Sequence, residues 1–294
     1  MPTKSPFSPK KVKPAVTVSI VSYKTRDKTL RLLKSIYKFT KNIPFEVIVV
    51  DNYTQDGLAQ TLKNDYPQVR YLSRPDNLWH TGGHNLAFDK SAAPYFFILN
   101  SDVYFKSNLL KQLYDYMEKH SDVGAVESGE ENDAGIPTVI GTRHNSLWVD
   151  IWDLTVFKRF WYPKSATEEF RYQGRDRRKN WDSEVITDSH FFTRRKLFKD
   201  GLYDTNMKLY FTENDLSKRI QAQGFRTVHM GEVALRHSVS SSVNAEHWHK
   251  IATVFATDTL YYYRKYHGPL SAFLLYAAFT LSNTLTLIKK SLSL

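Results

Sequence analysis

The stretch Tyr95-Phe-Phe-Ile-Leu-Asn-Ser-Asp-Val103 constrains the fold of this chain more than any other. Five apolar residues in an unbroken row, Tyr95 to Leu99, suit a strand buried on both faces of a parallel sheet. The row stops at Asn100-Ser101-Asp102, three short polar residues where such a strand leaves the sheet. In open α/β sheets, ligands bind at the carboxyl ends of the strands. A carboxylate placed there can hold a hard divalent cation, which in turn can hold a nucleotide diphosphate. Taken alone, the triplet reads equally well as an Asx-type turn after a strand. The neighbouring segments decide between the two.

Val16 to Ser22 is rich in β-branched residues and reads as a first strand. Thr25 or Asp27 caps a helix whose apolar face is Leu30, Leu33, Ile36 and Tyr37. A second strand, Phe45 to Val50, ends on Asp51-Asn52, and a turn at Gln55-Asp56-Gly57 opens a helix to about Asp65. A third strand spans Val69 to Ser73. Asn77-Leu-Trp-His-Thr-Gly-Gly-His-Asn85 and a short helix then lead into the Tyr95–Leu99 strand. This β-α-β-α-β-α-β order predicts an α/β, doubly wound, mostly parallel sheet with right-handed crossovers. Asp51 and Asp102 both end strands, so both fall on one rim. Neither a G-x-G-x-x-G fingerprint nor a P-loop is present. Gly82-Gly83 either lets the backbone approach a ligand or starts the next helix from a tight turn.

The net charge of +11 implies an anionic partner: nucleic acid, anionic lipid or a phosphorylated substrate. The densest basic run, Arg171 to Lys179, reads as a loop, and no helix-turn-helix, zinc-finger or RNP signature accompanies it. A diphosphate is a smaller target over which such arginines could close. With no cysteine, thiolate nucleophiles and thiolate metal sites are excluded.

Three segments together, Asp51-Asn-Tyr-Thr-Gln-Asp-Gly57, Asn77 to Asn85 and Leu99-Asn-Ser-Asp-Val103, resemble successive motifs of family 2 glycosyltransferases. The likeness is strongest to the bacterial rhamnosyltransferase-like branch. It implies a GT-A fold, with a nucleotide-binding α/β sheet and an appended acceptor-binding part. It also implies that Asp51 binds a uracil or thymine base and that Asn77 and Gly83 lie along the nucleotide-sugar cleft. Ser22, Tyr23, Gly82, Asn85, Asn100, Ser101 and Arg195 complete the donor site it implies. Asp102 corresponds to the last acid of the D-x-D metal motif, with Asn100 in place of the first, and the expected cofactor is Mg²⁺ or Mn²⁺.

A second block continues the resemblance. Arg194, Arg195, Phe198, Gly201, Tyr203, Asp204, Leu216 and Arg219 match the family's R-R-x-x-F, G-x-[FY]-D and E-D-x-x-L-x-x-R patterns. Aligned on Leu216, the family's Glu-Asp pair falls on Thr212 and Glu213, so the usual base aspartate becomes a glutamate. Read from the residues alone, Glu213 and Asp215 lie in the first turn of a helix, where they complement its dipole. The resemblance makes one of them the catalytic base, Glu213 in preference to Asp215. His237, followed by Ser238 and Ser240 to Ser242, corresponds to a histidine that contacts the metal or the diphosphate.

The Pro- and Lys-rich residues 1–14 read as a basic tail without the apolar core of a secretory signal. Residues 15–245 would form the catalytic domain, with a nucleotide-binding half to about 127 and an acceptor-binding half from 128. The last segment, 246–294, reads as a helical extension. Its apolar part, Pro269 to Ile288, carries six interspersed Ser, Thr and Asn residues and closes on Lys289-Lys290. That composition fits a helix lying in a membrane interface better than one crossing it, or a helical pair packed on the domain.

The expectation is an inverting, metal-dependent transferase. It would move L-rhamnose from dTDP-L-rhamnose, or another hexose from a UDP- or dTDP-sugar, to a saccharide or lipid-linked acceptor in cell-surface polysaccharide synthesis. Such an enzyme would sit in the cytoplasm, peripheral on the inner face of the membrane, as a monomer or an oligomer and without a nucleic-acid partner. The competing class is a non-catalytic basic module that binds nucleic acid or membrane.

Overall fold

The computed structural model describes residues 13–53, 55–159, 163–238 and 248–292, with side chains to residue 286. Most of the expected basic tail, Ser240 to Ser242 and the side chains of Lys289 and Lys290 lie outside the described residues.

Strands β1 (Val16–Ser22), β2 (Phe45–Asn52), β3 (Arg70–Arg74) and β4 (Tyr95–Asn100) alternate with helices α1 (Arg26–Phe39), α2 (Leu58–Asp65) and α3 (Trp79–Asp89). They pair in parallel in the order β3-β2-β1-β4, as the βαβ pattern requires. The unbroken apolar row of β4 is explained by its two faces. Tyr95, Phe97 and Leu99 enter the core beneath α1, while Phe96 and Ile98 enter the core on the other side of the sheet. Burying each such side chain contributes about 1.5–3 kcal/mol.

Beyond β4 come the short β5 (Val103–Tyr104), α4 (Leu109–Lys119) and β6 (Val123–Glu131). The chain continues through α5 (Leu147–Asp153), α6 (Lys164–Phe170), β7 (Asn180–Asp182), β8 (His190–Arg194), α7 (Thr212–Gln221) and β9 (Arg226–His237). The sheet extends as β4-β8-β6-β9-β5, with β7 also on β9. β8 runs antiparallel to both β4 and β6. Among the described residues, one sheet of nine strands therefore crosses the expected 127/128 division, because β6 spans it.

Helix α8 (Trp248–Leu292) is bent at Gly268, whose φ of +83° is followed by Pro269. Its buried Tyr262, Tyr263 and Leu275 join Met207 and Phe211 in a third core. Asp258 Oδ2 accepts hydrogen bonds from the backbone N–H groups of Lys208, Leu209 and Tyr210 at 2.8–3.0 Å. Much of the expected extension is thus packed on the domain. Its outer face keeps Leu270, Phe273, Leu274, Tyr276 and Leu281 exposed, and no described helix is long and apolar enough to cross a membrane.

Candidate active site

A cleft opens at the carboxyl rim of β1, β2 and β4. Val21, Tyr23, Asn52, Asn77, Trp79, His80, Asn100, Ser101, Asp102, Asp188, Leu209, Tyr210 and Ile251 line it. The chain reaches the same rim twice because β8 enters antiparallel where β4 leaves. Asn100 N–H donates to Ser189 C=O at 2.8 Å, which sets Asp188 beside the Asn100-Ser101-Asp102 turn.

Asp102, nearly buried, faces His237 from the end of β9, with Nε2 3.1 Å from Asp102 Oδ1. The other ring nitrogen, Nδ1, lies 2.8 Å from Glu130 Oε2. Burial opposes charge on this imidazole, but its hydrogen bonds to Asp102 and Glu130 and the pull of both carboxylates outweigh it and raise the pKa to about 10. Burial likewise works against ionised Glu130, yet His237, His190 and Thr138 bring it down to about 2.

Among the described residues, no three carboxylate or imidazole groups converge as a metal cage. Asp102 and His237 nonetheless fit a divalent ion in a nucleotide site, where substrate phosphates and water supply the remaining positions. Glu130, bonded to His237 Nδ1, would be the outer carboxylate that orients the imidazole if it held such an ion. A cation would have to displace the Nε2 proton.

Asp188, which the sequence reading passed over, is held by three groups. Its Oδ2 lies 3.1 Å from His80 Nε2, and it accepts from Tyr203 Oη at 3.1 Å and Thr212 Oγ1 at 2.6 Å. Burial would raise its pKa, but the charge of His80 and these hydrogen bonds drive it below the ordinary carboxylate range. Glu213 behaves oppositely: burial first, and then the charge of Asp188, push it up. Asn52, also unmarked by the sequence reading, donates to Trp79 C=O at 2.9 Å and keeps a buried Oδ1 without a partner. Trp79 itself has a φ of +62°, a costly backbone for a bulky residue at the cleft wall.

Of the sequence candidates, Tyr23, Asn77, Asn100, Ser101 and Asp102 line the cleft. Asn77 also accepts the Trp79 N–H at 2.8 Å, which starts α3. Several others do something else. Asp51 is buried behind the rim and accepts from Tyr71 Oη at 2.7 Å. Ser22 bonds Thr25 and Thr29 within the turn after β1. Gly82 and Gly83 lie inside α3 rather than at its start, because close packing governs them. A Cβ on Gly83 would stand 2.7 Å from Val21 Cγ2. Asn85 pins the 201–204 loop by exchanging two hydrogen bonds with the backbone of Tyr203.

Arg195 sits at the opposite end of β4, where it bonds Phe88 C=O and Ser91 Oγ and covers the Phe88 ring. It is a staple between α3 and the sheet, so the donor role expected of it does not hold. Asp215 is buried between Arg219, Lys265 and Tyr266, and neither it nor Glu213 lines the cleft. The 171–179 arginines lie elsewhere too. Arg177 bonds the carbonyls of Ile140, Arg171 and Tyr172, and Arg171 pairs with Asp153. Lys208 and Lys250 stand next to the cleft, their Nζ atoms 5.8 and 4.9 Å from the centre of the Trp79 ring.

The family model described as "Glycosyl transferase family 2" matches residues 17–202. The chain belongs to glycosyltransferase family 2. No curated protein matches this family 2 chain in sequence. Solved structures resemble it in fold. The mannosyltransferase PcManGT from Pyrobaculum calidifontis, in complex with GDP-Man and Mn²⁺, has a TM-score of 0.57 at 14% identity. That match covers 96% of this chain and 81% of PcManGT. GalNAc-T7 with UDP, GalNAc and Mn²⁺ gives 0.58 at 14% identity, covering 78% of this chain and 44% of that one. S. aureus TarS 1–349 gives 0.51 at 15%, covering 77% and 60%. The chain thus spans about three fifths of TarS and under half of GalNAc-T7. These likenesses establish the GT-A architecture of the family 2 chain, a mixed α/β fold with a mostly parallel central sheet.

Proposed function

We propose that this chain is an inverting, metal-dependent transferase that takes L-rhamnose from dTDP-L-rhamnose and places it on a lipid-linked saccharide. The observation that carries the reading is the cleft itself, whose lining joins Tyr23, Asn77 and Trp79 to Asp102 and Asp188. A nucleoside diphosphate lies along such a rim in α/β folds. The motif resemblance supports rhamnose. The Mn²⁺ and nucleotides seen with PcManGT and GalNAc-T7 support the donor class and are equally compatible with another hexose.

Asp102 and His237 would hold Mg²⁺ or Mn²⁺, whose charge would offset that of the leaving diphosphate. Lys208 and Lys250, beside Trp79, add positive charge there. An acceptor hydroxyl entering past Leu209 and Tyr210 attacks the anomeric carbon from the face opposite the diphosphate. Its proton passes to a carboxylate near the amino end of α7, the region in which Glu213 is the group expected from sequence.

Support for a lipid-linked acceptor comes from α8. An apolar groove lined by Leu154, Trp248, Phe255 and Phe279 continues from the cleft through Tyr210 and Ile251, which line both. Beside it runs the exposed apolar face of α8, so the reading places the protein peripherally on the inner face of the cytoplasmic membrane. A panel of nucleotide sugars tests the function: Mn²⁺-dependent binding and hydrolysis of dTDP-rhamnose above UDP- and GDP-sugars is expected. Absence of any metal-dependent nucleotide binding would overturn it in favour of a non-catalytic module.

A further inference from the structure

Buried Asp215 and Asp150 distribute their donors over both oxygens, while Asp258, with three donors on Oδ2, keeps a buried Oδ1 and does not line the cleft. Asp215 gives Oδ1 to Lys265 and Tyr266 and Oδ2 to Arg219. Asp150 gives Oδ1 to Asn145 and Oδ2 to Asn145 and Tyr263. Asp188 departs from that pattern. His80, Tyr203 and Thr212 all contact Oδ2, and among the described residues Oδ1 has no partner. The side chain is only 16% exposed, yet the residue lines the cleft. Three groups from separate segments therefore fix the orientation of a carboxylate whose second oxygen is left for something else.

We propose that Asp188 is the general base of the transfer and that Glu213 is a positioning residue acting through it. This inference rests on the glycosyl-transfer reading above. The acceptor O–H proton goes to Asp188 Oδ1, the acceptor oxygen bonds the anomeric carbon, and the bond from that carbon to the diphosphate oxygen breaks with its electron pair on the diphosphate. Asp188 returns the proton to solvent after product leaves.

Thr212 connects the two acids. Its hydroxyl donates to Asp188 at 2.6 Å, and Glu213 Oε2 lies 3.4 Å from the same oxygen. A neutral Glu213 carboxyl can donate back to Thr212, which keeps the Thr212 proton directed at Asp188. Burial and the adjacent Asp188 charge both favour that neutral form. Tyr203, raised well above the ordinary phenol range by burial and by Asp188, stays a neutral donor.

The test uses the full chain with dTDP-rhamnose, Mn²⁺ and water or azide as acceptor. Asp188→Asn should lower dTDP release about 10²- to 10⁴-fold while dTDP–Mn²⁺ affinity stays within about threefold. Azide, an anion with no proton to lose, should restore release in Asp188→Ala, a rescue that a purely structural role would not give. Glu213→Gln should keep turnover within about tenfold. Thr212→Val, which folds more readily if Asp188→Asn does not, should move the acidic limb of the pH–rate profile up by about one unit. Retained turnover in Asp188→Asn, a hundredfold loss in Glu213→Gln, or an unmoved limb in Thr212→Val overturns the inference. A wild-type chain that binds no nucleotide with Mn²⁺ overturns the parent reading and this one with it.

Discussion

His237 Nε2 stands 3.1 Å from Asp102 Oδ1, joining the end of β9 to the turn after β4 across 135 residues of sequence. The contact sets the His237 imidazole beside the Asp102 carboxylate that lines the cleft, with Glu130 behind the ring. It leads directly to a test of metal dependence. Asp102→Ala should abolish the increase in dTDP affinity that Mn²⁺ gives, and EDTA should do the same to the wild type, both read by calorimetry. Glu130→Gln, which leaves both donors in place, should weaken the Mn²⁺ effect about 10- to 100-fold.

Asp258 holds the loop that bears Leu209 and Tyr210. Its Oδ2 accepts three backbone N–H groups in a part-buried setting. Asp258→Ala leaves those donors unpaired, which costs roughly 2–4 kcal/mol, and loosens one wall of the cleft. The expected result is a lower unfolding midpoint together with a higher KM for donor.

Asp150 is a carboxylate that burial pushes up to about 6 despite hydrogen bonds from Tyr263 and Asn145. Because its folded pKa lies above the unfolded value of about 3.9, the folded state binds the extra proton. Stability from this group is present in full below pH 4 and is lost as pH rises from about 4 to 6, by an amount on the order of 2–3 kcal/mol. Urea unfolding of the wild type at pH 4 and 6.5 should show that decline, and Asp150→Asn, already neutral, should lack it.

The two faces of α8 should separate on mutation. Phe273→Glu with Leu270→Glu, both on the exposed face, should reduce co-sedimentation with phosphatidylglycerol vesicles while changing stability by no more than about 0.5 kcal/mol per site. Leu275→Ala, fully buried against the domain, should cost about 2–5 kcal/mol.

Gly83→Ala should destabilise by about 1–3 kcal/mol through overpacking against Val21. If the glycine instead served ligand approach, stability would hold and donor affinity would fall.

Local periodicity was enough to read the parallel half of the sheet. The strands β1, β2 and β4 run where alternation and apolar runs place them, and Asp102 ends its strand at the rim. Patterns tied to a strand end translate directly into position, because a parallel strand has one direction and one open rim. Helical placement was harder. The paired glycines fall inside α3, since what decides Gly83 is the distance to Val21 on β1, a helix-to-strand contact that no local pattern encodes.

Sequence alone therefore determined the βαβ order, the family and the place of Asp102 just past the end of β4, all of which depend on neighbours along the chain. Only the tertiary structure decided the other half of the site. The antiparallel return of β8 brings Asp188 to the rim and carries Arg195 to its opposite end. The packing of α8 draws Asp215 into a buried ion pair with Lys265. Whether a carboxylate meets a substrate or a lysine depends on which element packs over it, and that contact comes from residues fifty or a hundred positions away.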